Sequence, residues 1–162
     1  MKSAILLRIA LGLVFLTTLP SCGTEFRSAW KQGGYLVAPT SPACAGPFKT
    51  QLPRSKWEGT WHSDATGHQG TLRCVTSSTI NNQGDHEFFY RATWKKILSG
   101  SYKAVHTVKK QKDGSYTFKG EHKMPDWAGG LYHYEGTIKG DNFNACYQSA
   151  MDRGTYTMKR VP

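Results

Sequence analysis

Six histidines, four cysteines and a set of aspartates supply the side chains with which this 162-residue chain could do chemistry. His62, His68, His86, His106, His122 and His133 are scattered over separate segments, at the rims or in solvent. No H-x-H or H-E-x-x-H pair seeds a metal site. The cysteines at 22, 44, 74 and 146 form no C-x-x-C, and no G-x-S-x-G elbow presents a nucleophilic serine. Asp64, Asp113, Asp126, Asp141 and Asp152 sit in turn contexts rather than as a facing pair for glycosyl transfer. The expectation is a protein with no catalytic residues, no metal and no cofactor.

The aromatic residues have a clearer order. In "EFFYRATWK", Phe88, Tyr90, Ala92 and Trp94 share one parity, and Phe89, Arg91, Thr93 and Lys95 the other. The same period-two pattern runs through "SYTFKGEH", "LYHYEGTI", "NFNACYQS" and "GTYTMKR". It marks strands with one buried and one wet face. Turn signals recur about every ten residues, among them Asp113–Gly114, the signature of a tight hairpin. Eight strands are predicted, at 57–63, 70–77, 87–97, 101–109, 115–122, 130–138, 142–149 and 154–160. "WEGTW", "FKGEH" and "YEGTI" each place an aromatic two residues before a glycine. Such glycines suit an antiparallel sheet that bends until it closes on itself. The fold predicted is all-β: an eight-stranded antiparallel up-and-down barrel.

Trp61, Phe88, Tyr90, Tyr116, Phe118, Tyr132, Tyr134, Phe143, Tyr147 and Tyr156 all fall on the predicted inner face. They either fill a small barrel or line a pocket. Buried tyrosine hydroxyls need partners, which a ligand or water inside would supply. Trp61, Tyr90, Tyr116, Tyr132, Tyr134 and Tyr147 are the candidate ligand-binding residues.

The ends of the chain differ in texture. Lys2 and Arg8, an apolar run from Ile9 to Leu16 and then "TTLPSC" have the layout of an export leader over residues 1–21. That run is shorter than the ~20 residues a spanning helix needs. Residues 22–56 carry Pro39, Pro42, Pro47 and Pro53 and read as an irregular tether, with no amphipathic helix. The barrel domain takes 57–162. The 21 Lys and Arg against 11 Asp and Glu give +10. Lys2 and Arg8 belong to the leader, so the exported part keeps an excess that favours anionic surfaces. Lys95, Lys96, Lys103, Lys109, Lys110 and Lys119 lack the interleaved outward aromatics of a nucleic-acid binder, and none is expected as partner. Cys74 shares parity with Leu72 and is expected buried. Cys146 points outward, where a disulfide with Cys44 is expected, since export permits one.

"LPSC" resembles the bacterial lipoprotein box, through Leu19, Ser21 and Cys22. The resemblance implies lipidation of Cys22 and membrane attachment in the cell envelope. Gly23, in place of a retaining Asp, implies the outer membrane. Gly59-Thr60-Trp61 is similar to the G-x-W signature of calycin barrels, the group of lipocalins and avidin-like proteins. That resemblance implies that Arg160 packs across Trp61 as a structural cap. "GHQGTLRC", "GGLYHYEG" and "FNACYQSAMDRGTYTMKR" also resemble small exported bacterial proteins of no assigned activity. The expected function is a membrane-anchored, non-enzymatic binding barrel for a small or amphiphilic ligand. The alternative is an inhibitor-like envelope lipoprotein that binds a protein through its loops.

Overall fold

The computed structural model describes residues 20–33, 52–79, 84–94 and 98–162. Eight strands follow one another: β1 Ser55–Ser63, β2 Gln69–Thr79, β3 Asp85–Trp94, β4 Leu98–Lys110, β5 Tyr116–Lys123, β6 Leu131–Lys139, β7 Asn142–Gln148 and β8 Arg153–Val161. Each pairs antiparallel with the next, and β8 returns to pair with β1, so the barrel is closed. Closure leaves no edge strand to recruit a neighbouring chain. The up-and-down order puts the β1–β2, β3–β4, β5–β6 and β7–β8 connections at one end and the other three at the opposite end.

Alternation dictates which side chains go inside. Along β7, Phe143, Ala145 and Tyr147 are buried, and the residues between them are exposed. Along β8, Gly154, Tyr156 and Met158 are buried in the same way. The interior then divides by chemistry. Towards the β2–β3 end, Trp57, Phe88, Phe118 and Phe143 pack with ring centroids 5.1–6.1 Å apart. Val108, Ile138, Met158 and Leu52 complete this floor, all at most 1% exposed. Each such side chain contributes about 1.5–3 kcal/mol by leaving water. The aromatic–glycine motifs are completed between strands rather than within them: Phe118 pairs with Gly136, and Gly120 with Tyr134. A Cβ on Gly136 would lie 2.5 Å from Phe118 Cζ, so the ring occupies the space that a side chain would need.

The seam between β1 and β8 relies on another glycine. A Cβ on Gly59 would lie 2.0 Å from the Thr157 carbonyl oxygen and 2.6 Å from Met158 Cα. The two backbones are that close because the register sets Gly59 opposite Met158.

The expected Trp61–Arg160 cap is corrected here. Register places Arg160 opposite Trp57, and the guanidinium lies 4.6 Å from the Trp57 ring. Trp61 is four residues along, opposite Tyr156, and its Nε1–H donates to the Thr93 carbonyl at 2.9 Å. Arg160 also donates to Asp141 Oδ1 and to the Gly140 carbonyl, each at 3.1 Å.

The tether is corrected in part. Pro20–Lys31 form a helix, α1, where an irregular segment is expected. Pro20 suits the first turn, whose N–H groups have no partner within the helix. Phe26, Ala29 and Trp30, spaced i, i+3, i+4, face the outside of the barrel. There Val75 and Phe89, both of outward parity, are fully buried beneath Phe26 and Ala29. Phe26 meets Phe89 edge-on with centroids 5.1 Å apart. Lys103 pairs with Glu25, and Lys56 and Arg73 lie over the Trp30 ring. Residues 1–19, most of the proposed leader, lie outside the described residues, as does Cys44. Cys146 is an exposed free thiol, 3.8 Å from Glu135 Oε1, and Cys74 is buried as expected.

Candidate ligand pocket at the open end of the barrel

Above the phenylalanine floor the lining changes to tyrosine. Tyr90 is fully buried and marks the boundary. Its ring stacks on Tyr102 at 5.1 Å and on Tyr134 at 6.4 Å. Its hydroxyl lies 3.2 Å from His106 Nε2, in hydrogen-bonding contact. One step further up, the hydroxyls of Tyr102 and Tyr156 meet at 3.0 Å. The Tyr147 ring packs at a tilt against Tyr156 and Tyr132, with centroids 5.1 and 5.9 Å away. Its hydroxyl donates to Asp152 Oδ2 at 3.2 Å.

These groups surround a cavity of about 80 Å³ at the β1–β2 end. Trp61, Leu72, Ala92 and Trp94 line one side, Met124, Tyr132, Tyr134, Tyr147 and Tyr156 the other. Pockets for drug-sized ligands run from about 300 Å³. This one accommodates a small group or the end of a longer molecule. Two larger hollows of about 690 and 590 Å³ lie on the outer wall of β5–β8, between exposed side chains such as Lys119, Glu135 and Cys146. They are open troughs on the barrel wall, and the less open cavity among the tyrosines is the better site.

The β5–β6 connection forms one lip of the mouth. It contains a single 3-10 turn, Asp126–Ala128, followed by Gly129 and Gly130, both with positive φ. Met124 N–H donates to the Gly130 carbonyl at 2.9 Å, and the Tyr132 hydroxyl to the Ala128 carbonyl at 3.0 Å. The β7–β8 turn forms a second lip. Asp152 there accepts from Ser63 Oγ at 2.6 Å and from its neighbour Arg153 N–H at 2.8 Å. The turn reading of Asp152 stands, with the addition that one oxygen faces the Tyr147 hydroxyl.

The interior is uncharged below this rim. Burial holds the Tyr90, Tyr102 and Tyr156 hydroxyls far above the ordinary tyrosine range, and Tyr134 is pushed up to about 12. Burial also pushes the His106 imidazole down to about 3, so it is neutral at physiological pH. His106 Nδ1 finds no hydrogen-bond partner, and a Cβ on Gly120 would lie only 2.4 Å from it. The site offers neutral hydroxyls on aromatic walls. That suits directional contact to a polar group carried by an apolar body.

Sequence-predicted residues divide on this geometry. Trp61, Tyr132, Tyr134 and Tyr147 line the cavity together, and Tyr90 supports it from below. Tyr116 belongs to the other end, opposite Ile138 and 6.0 Å from Lys110 Nζ, and takes no part. Tyr102 also lines the cavity and is missing from the expected set. Its inward parity with Ala104, His106 and Val108 is legible in "SYKAVHTV". The same alternation buries His106. His86 is also buried, against the Ser77 carbonyl at 3.1 Å. Both differ from the expected rim or solvent histidines, because each sits on the inward or covered face of its strand. Among the described residues no three His, Cys, Asp or Glu side chains gather as a metal site would require.

Comparison with protein-family models, with curated proteins and with solved structures finds no match to this chain, so what the barrel does has to come from its own geometry.

Proposed function

We propose that this protein is an exported, membrane-anchored, non-enzymatic barrel that takes up a small or amphiphilic molecule through its open end. The observation that carries the reading is the tyrosine-lined cavity, in which the Tyr102 and Tyr156 hydroxyls, 3.0 Å apart, stand over an apolar floor. A polar group placed there finds donors and acceptors, and an attached apolar portion finds Trp61, Leu72 and Trp94. Kinship with calycin barrels is part of the proposal. It is supported by Gly59-Thr60-Trp61, by the closed eight-strand meander and by an Arg–Trp stack near the end of the last strand, which here uses Trp57. Attachment through a lipidated Cys22 and an outer-membrane location rest on the resemblance of "LPSC" to a lipoprotein box.

Native mass spectrometry of the full chain, purified in mild detergent, tests the uptake. A small molecule should accompany the protein. Tyr102→Phe, which removes one hydroxyl and keeps the ring, should weaken its retention roughly three- to tenfold, the worth of one hydrogen bond. A barrel that is always bare, or a bound mass indifferent to Tyr102→Phe, overturns the reading. Turnover of a substrate abolished by changing one His or acid would overturn the non-enzymatic part.

A further inference from the structure

Among the described residues, the only charged side chain lining the cavity is an acid. Asp152 stands there with Trp61, Trp94 and five tyrosines, and no lysine, arginine or histidine joins them. One carboxylate oxygen accepts from Ser63 Oγ and the Arg153 N–H, which fix the side chain at the lip of the mouth. The other faces the Tyr147 hydroxyl.

The protons that this lining could offer to a guest are mostly spent within the protein. Trp61 Nε1–H donates to the Thr93 carbonyl, the Tyr132 hydroxyl to the Ala128 carbonyl and the Tyr147 hydroxyl to Asp152. Of the Tyr102 and Tyr156 hydroxyls, one donates to the other. An anionic head would need those protons and a nearby cation, and would meet the Asp152 carboxylate instead. What remains available is ring surface. Trp61 and Trp94 are tilted by 59° with centroids 5.9 Å apart, and Tyr147 is tilted by 37° to Tyr132 and by 33° to Tyr156. The walls therefore curve round the cavity instead of forming one stack. Aromatic faces carry negative potential and attract a cation, most strongly away from water.

Charge along the barrel acts in the same sense. Asp64, Asp126 and Asp152 are all at the mouth, in the connections that end β1, β5 and β7. Lys123 and Arg153, which flank it, are exposed and of outward parity. Lys95 and Lys96 lie outside the described residues. Lys109, Lys110, Lys112, Lys139, Lys159 and Arg160 gather at the opposite end, against Asp85, Asp113 and Asp141. The stretch from Asp152 to Arg160 is about 25 Å of extended strand. That is well beyond the ~8 Å over which exposed charges act at physiological salt. The bases at the far end therefore do not oppose a cation at the mouth.

We propose that the cavity is an aromatic cage for a quaternary ammonium head carried on an apolar body. The head is cationic, which matches the rings and Asp152. It has no N–H and asks for no hydrogen-bond acceptor. It is also compact. Liquid water takes about 30 Å³ per molecule and bonded atoms less, so a cavity of about 80 Å³ holds roughly three to five non-hydrogen atoms. A nitrogen with three methyl groups is of that size. The inference rests on the uptake reading and deepens it by naming the head that enters. The same head occurs on free choline-type cations and on phospholipids, and the probes below separate the two.

The test titrates the full chain, purified in a maltoside detergent, with choline and with 3,3-dimethylbutan-1-ol. The alcohol replaces the nitrogen by carbon, and so keeps the shape and loses the charge. Proton NMR of the ligand methyl groups reads binding, because ring currents shield methyls held between aromatic walls. Choline should bind about tenfold tighter than the alcohol, or more. Trp94→Leu, which keeps an apolar wall, should cut that ratio roughly threefold or more. Asp152→Asn should cut it roughly two- to fivefold. Asp152 also braces the β7–β8 turn, so Trp94→Leu decides alone if the Asn variant fails to fold. Phosphocholine, which brings a phosphate towards the acids of the mouth, should bind more weakly than choline; binding as tight would keep the cationic head and assign it to a phospholipid. Equal affinities for choline and the alcohol would overturn the cationic head and leave uptake of a neutral molecule standing. A ratio indifferent to both substitutions would overturn its placement in this cavity. Methyl signals unmoved by the protein would overturn the inference outright, while uptake itself is scored by the mass measurement above.

Discussion

His106 shows what a single buried side chain does to the whole. Its ring is edge-on to Phe88, Phe118 and Tyr134, with centroids 4.5–5.6 Å away. Burial is the main cause of its lowered pKa, and His122 adds repulsion of like sign when both rings carry a proton. Folding therefore favours the neutral imidazole. In the unfolded chain the same group titrates near the ordinary 6.5. Between about pH 6.5 and 3 the unfolded state binds more protons, so stability is complete above 6.5 and falls as the solution is acidified. The loss expected from this residue at pH 5 is about 2 kcal/mol. His86, which burial also pushes down, acts in the same direction. Urea unfolding of His106→Phe across pH 7.5 to 5 should show a shallower decline than the parent, whatever its stability at neutral pH. Parallel declines would mean that His106 is protonated within the fold.

Elements explain why some of this was legible beforehand and some was not. The eight strands begin and end close to their predicted bounds because alternation is a local property: a residue's parity and its neighbours decide its face. Tyr132, Tyr134 and Tyr147 are inside for that reason. Alternation gives the face but not the depth, so it groups Tyr116 with residues at the opposite end of the barrel. The calycin resemblance likewise carries no register, and register sets Arg160 against Trp57 rather than Trp61. Helix α1 was hidden for another reason. Twelve residues with three anchoring side chains form a marginal helix alone. Its partners, Val75 and Phe89, were visible only as apolar residues of the wrong parity. Their burial by Phe26 and Ala29 is a tertiary fact. Phe26→Asp should therefore undock the helix and leave the barrel folded. Hydrogen exchange should show amides of 23–31 losing protection while those of β6–β8 keep theirs. Retained protection in the helix would show that Phe26 is not its anchor.

For the whole molecule, closure depends on two strands from opposite ends of the barrel domain approaching without a side chain between them. Gly59→Ala sets a methyl against the Thr157 carbonyl and must spread the β1–β8 seam. Overpacking of this kind costs about 1–3 kcal/mol. Denaturant unfolding should register that loss, and a midpoint equal to the parent's would mean that the seam has slack. The closed wall also gives the interior a top and a bottom. Trp57, Phe118 and Phe143 seal one half, and only about four residues of strand, from Tyr90 to Trp94, separate that seal from the mouth. That is roughly 13 Å of travel. A long guest is thus gripped by its tip, with the remainder trailing outside, so discrimination would fall on the guest's terminal atoms and hardly at all on its overall length.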